Sequence, residues 1–304
     1  MRVAGVVLAA GAGTRLRPFT DERPKPLVPV LGRTLLDRAL DKLRAVGAER
    51  VLVNTHVRSD LVEEALRPWG PWVTARREER LTGPAGALRF FGADLADADV
   101  VLVVSGDALF DDPLDGLLAT HLRTGAALTF AVTAVREASR FGVLEVDDDG
   151  LLVAAREKPD VPPDEEHLVS AGMYAVRPDA LDVLPADGVV DFVADLVPGL
   201  VARGDTVATH RLTGAWFDVG SPGALHAATL RALDALEGTQ HRARSATVEP
   251  GAVLHGRVSL EAGAHVGRGA WVQDAVLLPG AHVPAGGVLV GGVLAGRPMT
   301  TDRS

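Results

Sequence analysis

There is no cysteine among the 304 residues. That absence excludes disulfides, thiolate metal sites and cysteine nucleophiles, and it is compatible with a reducing cytosol. Aromatic residues are scarce, at 4% of the chain with a single tyrosine, and no basic patch is interleaved with them, which argues against stacking on single-stranded nucleic acid. Positive charge is in deficit, 31 Lys and Arg against 40 Asp and Glu for a formal charge of −9. No diffuse cationic surface is therefore available for nucleic acid or anionic lipid, and a bound phosphate must be held locally. Apolar runs are short, none approaching the roughly 18 residues of a membrane span. The opening MRVAGVVLAAGAG superficially resembles a secretory leader, but an apolar segment of about eight residues reads better as a buried strand. A cytoplasmic protein with no membrane and no nucleic-acid partner is expected. The nine histidines are scattered without the i, i+4 pairing of a zinc site. Ser105, Ser139 and Ser170 lack a nucleophile-elbow context.

At 47% hydrophobic content, a chain of this length can bury a sizeable core, and about two domains are expected. As far as about residue 235, short β-branched runs (Val3 to Leu8, Val51 to Asn54, Val100 to Val104) alternate with amphipathic segments. In TLLDRALDKLRAVG, Leu36, Leu40, Leu43 and Val46 fall at helical spacing, Thr34 can cap the start and Gly47 can end it. Further helices are predicted over Asp179 to Leu184, Val190 to Arg203 and Ala224 to Leu236, the last opened by Ser221 and Pro222. Such alternation indicates a mostly parallel sheet covered by helices, with ligands beyond the carboxyl ends of the strands. After the polar stretch EGTQHRARS the pattern changes, and Val248, Leu254, Leu260, Val266, Val272, Leu278 and Val290 recur on a period of six, interrupted by Pro284. That period fits neither a helix nor an alternating strand. It resembles the hexapeptide repeat of a short left-handed parallel β-helix, with the aliphatic side chain pointing inward. Domain limits of 1–238 and 239–304 follow.

Directly after the first strand, GAGTRLRP places Gly11 and Gly13 where backbone N–H groups could turn toward phosphate oxygens, with Arg15 and Arg17 adding charge. A plain turn satisfies the same two glycines. The stretch is neither a Walker-type phosphate loop nor a complete dinucleotide fingerprint. Downstream, the buried run of VVLVVSGDALFDD ends in Gly106-Asp107, which puts a carboxylate at the ligand edge of the sheet, while Asp111 and Asp112 read as turn residues before Pro113.

Taken whole, LAAGAGTRLRPFT followed by PKPLVPV resembles the signature of the sugar-1-phosphate nucleotidylyltransferases, the NDP-sugar pyrophosphorylases. The resemblance continues in order over nearly the whole chain. It implies a Rossmann-like α/β catalytic domain followed by the left-handed β-helix, and the reaction of a nucleoside triphosphate with a sugar 1-phosphate to give NDP-sugar and diphosphate. In that family the glycine-rich loop wraps the nucleotide, which by position involves Leu8, Ala10, Gly11, Gly13, Thr14 and Arg15. Arg15 and Lys25 match the arginine and lysine that hold phosphates, and with Asp107 they form the expected catalytic set. A planar guanidinium suits the leaving pyrophosphate; a compact ammonium suits the α-phosphate. Asp107 matches the Mg²⁺ aspartate, and Asp218, in WFDVGSPG, matches the second metal ligand. LTGPAGAL resembles the element that approaches the base, through Gly83 and Gly86, although Pro84 stands where threonine is usual. REKPD supplies Glu157 and Lys158 for the sugar phosphate, joined by Gly142, Ser170 and Gly172; Ser170 stands where many relatives have asparagine.

The resemblance leaves several points open. Lys25 could be a solvated loop lysine and Asp218 a helix-preceding cap. Glu79 is near enough to read guanine, yet in RREER it also fits an exposed charge. Within the family, a short C-terminal β-helix resembles first the mannose-1-phosphate guanylyltransferases, which implies GTP, and next the long-form glucose-1-phosphate thymidylyltransferases, which implies dTTP with glucose 1-phosphate. Ser170, Pro84 and the acidic stretch DVPPDEEH depart from common patterns and leave open a cyclitol or unusual sugar phosphate. A non-catalytic NDP-sugar-binding subunit, or a hexapeptide acyltransferase using His255, His265 or His282, belongs to other classes. A homo-oligomer through the β-helix is expected, because exposed strand edges invite pairing with another copy.

Overall fold

The computed structural model describes residues 1–162, 164–236 and 238–296. Pro163, in the acidic stretch DVPPDEEH, and the tail 297–304 of the expected second domain lie outside the described residues. The chain groups into two compact units, one made of residues 1–11 and 38–216, the other of residues 12–37 and 217 onward.

The first unit holds a nine-stranded mixed sheet. In chain order its strands are β1 (Val3–Leu8), β2 (Arg50–Thr55), β3 (Val73–Arg77), β4 (Val100–Ser105), β5 (Leu128–Val135), β6 (Gly142–Val146), β7 (Leu152–Glu157), β8 (His167–Val176) and β9 (Val207–Arg211). Strands β3, β2, β1 and β4 run parallel in that spatial order. β8 then lies antiparallel to β4 and carries β6 and β7 on one side and β5 on the other, with β9 parallel to β5. The expectation of a mixed, mostly parallel sheet with interleaved helices holds.

The β-branched runs are the core of this unit. Val6, Val101, Val103 and Phe130 are fully buried and pack with Leu52, Tyr174 and Phe192; each such side chain taken from water contributes roughly 1.5–3 kcal/mol. Leu8 stands in register with both Asn54 and Ser105, so the loops that follow β1, β2 and β4 leave the sheet side by side. Helix α1 (Leu35–Ala45) starts as predicted: Thr34 Oγ1 accepts the Asp37 N–H at 3.0 Å, and Gly47 (φ +83°) turns the chain beyond its end. Helices α2 (Ser59–Leu66), α3 (Pro84–Phe90), α4 (Asp115–Thr124) and α5 (Val197–Arg203) also lie in this part of the chain, with a single helical turn at Gly92–Leu95 after α3. Two predicted helices differ from expectation. Over Asp179 to Leu184 the helix is of the tighter 3-10 kind and starts one residue earlier, Pro178–Val183. The segment from Val190 begins helically only at Phe192, because the Asp191 carboxylate caps Val193 and Ala194 N–H, and its first turn is a wide one preceding α5.

In the second unit, α6 (Pro222–Asp234) starts on Ser221, whose Oγ accepts the Ala224 N–H at 3.2 Å. Beyond it, among the described residues, ten short strands visit three parallel sheets in rotation, giving one sheet of four strands and two of three. Small and aliphatic side chains fill the interior, including Ala246, Val258, Leu260, Val266, Val272, Ala275 and Leu277. The repeat is not uniform. Thr247 pairs with His265 and Val253 with Trp271, a spacing of 18, whereas His265 pairs with His282 and Trp271 with Val288, a spacing of 17. The missing residue falls at Asp274 (φ +46°), whose carboxylate accepts the Arg257 N–H at 3.0 Å and fills the place where a side chain on Gly256 would stand. This slip corrects two inward assignments. Leu277 and Leu289, not Leu278 and Val290, stand in register with Leu260 and Val272, and Val290 is 63% exposed. Pro284 no longer interrupts anything, since Val283 is the buried residue there.

Candidate active site

Within the first unit the carboxyl edge of the sheet is built by close backbone packing. Ala9 and Ala10, directly after β1, are buried. Gly106 follows β4 and donates its N–H to Leu8 O at 2.9 Å; a side chain there would stand 3.0 Å from that same oxygen. The Gly106-Asp107 step thus leaves β4 beside the end of β1. Gly11 differs from the other glycines of this edge: the position of a Cβ on it meets no heavy atom within 4 Å. Its bare backbone faces open space, as a group cradling a ligand requires.

The second unit carries the cations. Gly13 adopts φ +62°, its carbonyl accepts the Thr20 hydroxyl at 2.8 Å, and Leu16, fully buried, anchors the short turn Thr14–Leu16. Thr14 and Arg15 stay exposed on that turn. Lys25, flanked by buried Pro24 and Pro26, opens the turn Lys25–Leu27 and is only 6% exposed. Its Nζ lies 3.3 Å from Asp218 Oδ1, and Arg15 Nη2 lies 3.7 Å from Asp218 Oδ2. A buried ammonium is costly unless partnered; here the partner is Asp218. Gly220 leaves this arrangement uncrowded, because a Cβ on it would stand 2.9 Å from Asp218 Oδ2 and push the carboxylate aside. Arg15, Lys25 and Asp218 are therefore brought together, and Lys25 is not a solvated loop lysine.

The expected base element forms the start of α3. Gly83 has φ +83°, and a Cβ on it would stand 2.4 Å from Val190 O. That carbonyl accepts the Ala85 and Gly86 N–H groups at 3.1 and 3.3 Å, while Val190 N–H donates to Thr82 O at 2.8 Å. Gly86 is packed against Thr82 in turn. The protein's own packing thus already accounts for both glycines, through the Val190 backbone at Gly83 and the Thr82 side chain at Gly86. Glu79 is exposed, while its neighbour Glu78 is 2% exposed. Asn54 Nδ2 donates to Glu78 Oε1 at 2.6 Å, and Thr82 N–H and Oγ1–H donate to Oε2 at 2.9 and 2.7 Å. Asn54 Oδ1 in turn accepts the Ala9 N–H at 2.8 Å. Sequence reasoning passed over Glu78 and Asn54. The available signal was a polar residue ending the buried run of β2 at the ligand edge.

Around β6 to β8 the expected sugar-phosphate residues gather. Gly142 pairs with Glu157 across β6 and β7, and a side chain on it would meet Val193 at 2.8 Å and Glu157 Oε2 at 3.2 Å. Glu157 and Lys158 are ion-paired. Lys158 takes φ +43°, an unusual value for a residue with a Cβ, and its N–H donates to Phe141 O at 3.1 Å. Gly172 (φ +75°) lies in the register shift of β8, where a Cβ would press on Ser105 Oγ at 2.6 Å. Ser170 Oγ donates to Tyr174 Oη at 3.1 Å, so its hydroxyl is engaged within β8. Burial raises the Tyr174 phenol above its ordinary pKa, and its ring stacks on Phe192 at 3.8 Å. Asp112 is a turn residue as expected, its carboxylate accepting Thr213 and Gly214 N–H at 3.0 and 2.7 Å.

Asp107 and Asp218 are each hard oxygen donors of the kind Mg²⁺ takes, and Mg²⁺ needs few protein ligands because it retains water and binds substrate phosphates. Among the described residues no group of three or more His, Cys, Asp or Glu side chains could hold a metal ion. The donor chemistry fits magnesium arriving with a phosphate ligand better than a resident, fully caged ion.

A mixed α/β sheet with a glycine-rich loop after its first strand belongs to the class of open α/β folds that take ligands at the carboxyl edge of the strands. The family model described as "Nucleotidyl transferase" matches residues 4–235, and the chain belongs to that family. It is similar to the mannose-1-phosphate guanylyltransferase of Mycobacterium tuberculosis, 30% identical over 301 residues that cover 95% of this chain and 83% of that protein. It is 29% identical to the UTP–glucose-1-phosphate uridylyltransferase of Synechocystis, over 71% of this chain and 59% of that protein. Among solved structures, a candidate glucose-1-phosphate thymidylyltransferase from Bacillus anthracis superposes with a TM-score of 0.67 at 24% identity, covering 78% of this chain and 97% of that one, a likeness of fold. Among the described residues no helix is long and apolar enough to cross a membrane.

Proposed function

We propose that the chain is a sugar-1-phosphate nucleotidylyltransferase, converting a nucleoside triphosphate and a sugar 1-phosphate to NDP-sugar and diphosphate. GTP with mannose 1-phosphate, or a related sugar phosphate, is the preferred pair. The observation that carries this reading is the convergence of a buried lysine, Lys25, and an exposed arginine, Arg15, on one carboxylate. In the reaction a sugar-phosphate oxygen bonds to the α-phosphorus while the bond to the pyrophosphate oxygen breaks in line, so the protein's task is to position and neutralise anions that repel each other. Lys25 meets the α-phosphate, Arg15 the leaving pyrophosphate, and the open backbone at Gly11 approaches the nucleotide. Glu157 and Lys158 take the sugar phosphate. Asp107 and Asp218 are assigned to Mg²⁺, which supplies further charge neutralisation when bound. The preference for GTP and mannose 1-phosphate is supported by the likeness to the M. tuberculosis protein, which extends through the C-terminal repeat.

The same proposal divides the chain into a catalytic domain, 1–238, and a left-handed β-helix, 239–304, through which copies associate. Support for association is an outward row on one sheet of the coil: Val253, Trp271 and Val288 stand side by side in register and are 41%, 39% and 72% exposed. The experiment is a matrix of nucleoside triphosphates against sugar 1-phosphates with Mg²⁺, scored by pyrophosphate release. Release above background with one pair, greatest for GTP and mannose 1-phosphate, is expected. No release with any pair refutes the reading.

A further inference from the structure

We infer that Glu78 is a positioning residue for the nucleotide, a buried clamp that fixes the start of the glycine-rich loop against the turn opening α3. The inference rests on the reading above that this loop holds a triphosphate. A carboxylate 2% exposed and an amide 4% exposed are a poor way to stabilise a fold, since well-packed apolar side chains serve as well or better. What they supply is direction. Ala9 N–H can only donate, so Asn54 must present Oδ1 to it and Nδ2 to Glu78. Thr82 N–H can only donate, so Glu78 must accept there too. Glu78 is therefore an acceptor on both oxygens, and the chain of bonds from Ala9 through Asn54 and Glu78 to Thr82 has one permitted polarity. On its far side the turn is tied to Val190. The clamp thus sets the distance from Ala9, two residues before the open backbone of Gly11, to Gly83.

Directionality makes the test specific. In Glu78→Gln the new amide must aim its NH₂ either at Asn54 Nδ2 or at the Thr82 donors, and a donor faces a donor in both cases. Adding Asn54→Asp restores every bond: the new carboxylate accepts from Ala9 and from the amide at position 78, whose carbonyl accepts from Thr82. Net charge is unchanged. Triphosphate binding is measured by calorimetry without sugar phosphate, and KM for each substrate by pyrophosphate release. Glu78→Gln is expected to weaken triphosphate binding and raise its KM at least about tenfold, with KM for the sugar 1-phosphate within about twofold. The double variant is expected to return to within about threefold of the native protein. Triphosphate affinity unchanged in Glu78→Gln, or a folded double variant no better than the single one, overturns the inference. Should Glu78→Gln fail to fold, Thr82→Val removes only the hydroxyl donor; weakened triphosphate binding supports the clamp and unchanged binding overturns it. Native protein that neither binds a triphosphate nor releases pyrophosphate overturns the functional reading, and the inference with it. Native protein that does both isolates the clamp.

Discussion

His121 makes the stability of this protein sensitive to mild acid. It lies on α4, 3% exposed, with Nδ1 2.9 Å from Thr129 Oγ1 on β5. Burial, reinforced by the nearby Arg177 charge, lowers its pKa from 6.5 to about 4. The folded state thus refuses a proton that the unfolded chain accepts. The contribution of neutral His121 is complete above pH 6.5 and is lost as pH falls toward 4. A shift of this size amounts to about 3 kcal/mol over the whole window and about 2 kcal/mol by pH 5, a large share of the 5–15 kcal/mol by which domains are stable. His210, also lowered by burial, acts in the same direction. The lowered carboxylates Asp97, Asp112, Asp205 and Asp274 start from 3.8, so their losses fall below this window. Urea titrations followed by circular dichroism at pH 7.5 and 5.0 are expected to show the native protein losing about 2 kcal/mol. His121→Gln, which keeps a partner for Thr129 but does not titrate, is expected to lose less than half of that. Equal losses in the two proteins would refute the assignment.

Three further outcomes are expected. Lys25→Ala and Asp107→Asn should each lower the rate of pyrophosphate release by roughly 10²-fold or more without changing the circular dichroism spectrum; full activity in either sinks its assigned role. Gly83→Ala and Gly11→Ala should separate packing from function. The first forces a Cβ against Val190 O at φ +83° and should lower the melting temperature by several degrees, about 2 kcal/mol or more. The second meets nothing within 4 Å, so it should leave stability within about 0.5 kcal/mol while raising KM for the triphosphate. Trp271→Glu, on the outward row of the coil, should yield a smaller species by light scattering if copies meet there, with the rate per chain retained.

What could be read in advance depended on whether one residue's environment is set by its neighbours in sequence or by chain arriving from elsewhere. β1 through Leu8 and the Thr34 cap are local: a short β-branched run, and a hydroxyl three residues before the N–H it accepts from, suffice to define them. Gly11 and Gly83 look alike in sequence, yet one faces open space and the other is filled by Val190 O, contributed by a segment more than a hundred residues later. Neither glycine carries that distinction. Glu78 and Glu79 are likewise adjacent and chemically equivalent, and only the presence of Asn54 and Thr82 on one side decides which is buried. The coil shows the same limit within a regular pattern. Its period was legible because small and aliphatic residues recur, but a single residue lost at Asp274 shifts every later position, turning Val290 outward and Leu289 inward. Because Asp274 fits there only where Gly256, one coil earlier, leaves room, the shift is written in a pair of residues that no fixed period relates. A periodic reading therefore fails at such a corner even when every strand before it is placed correctly.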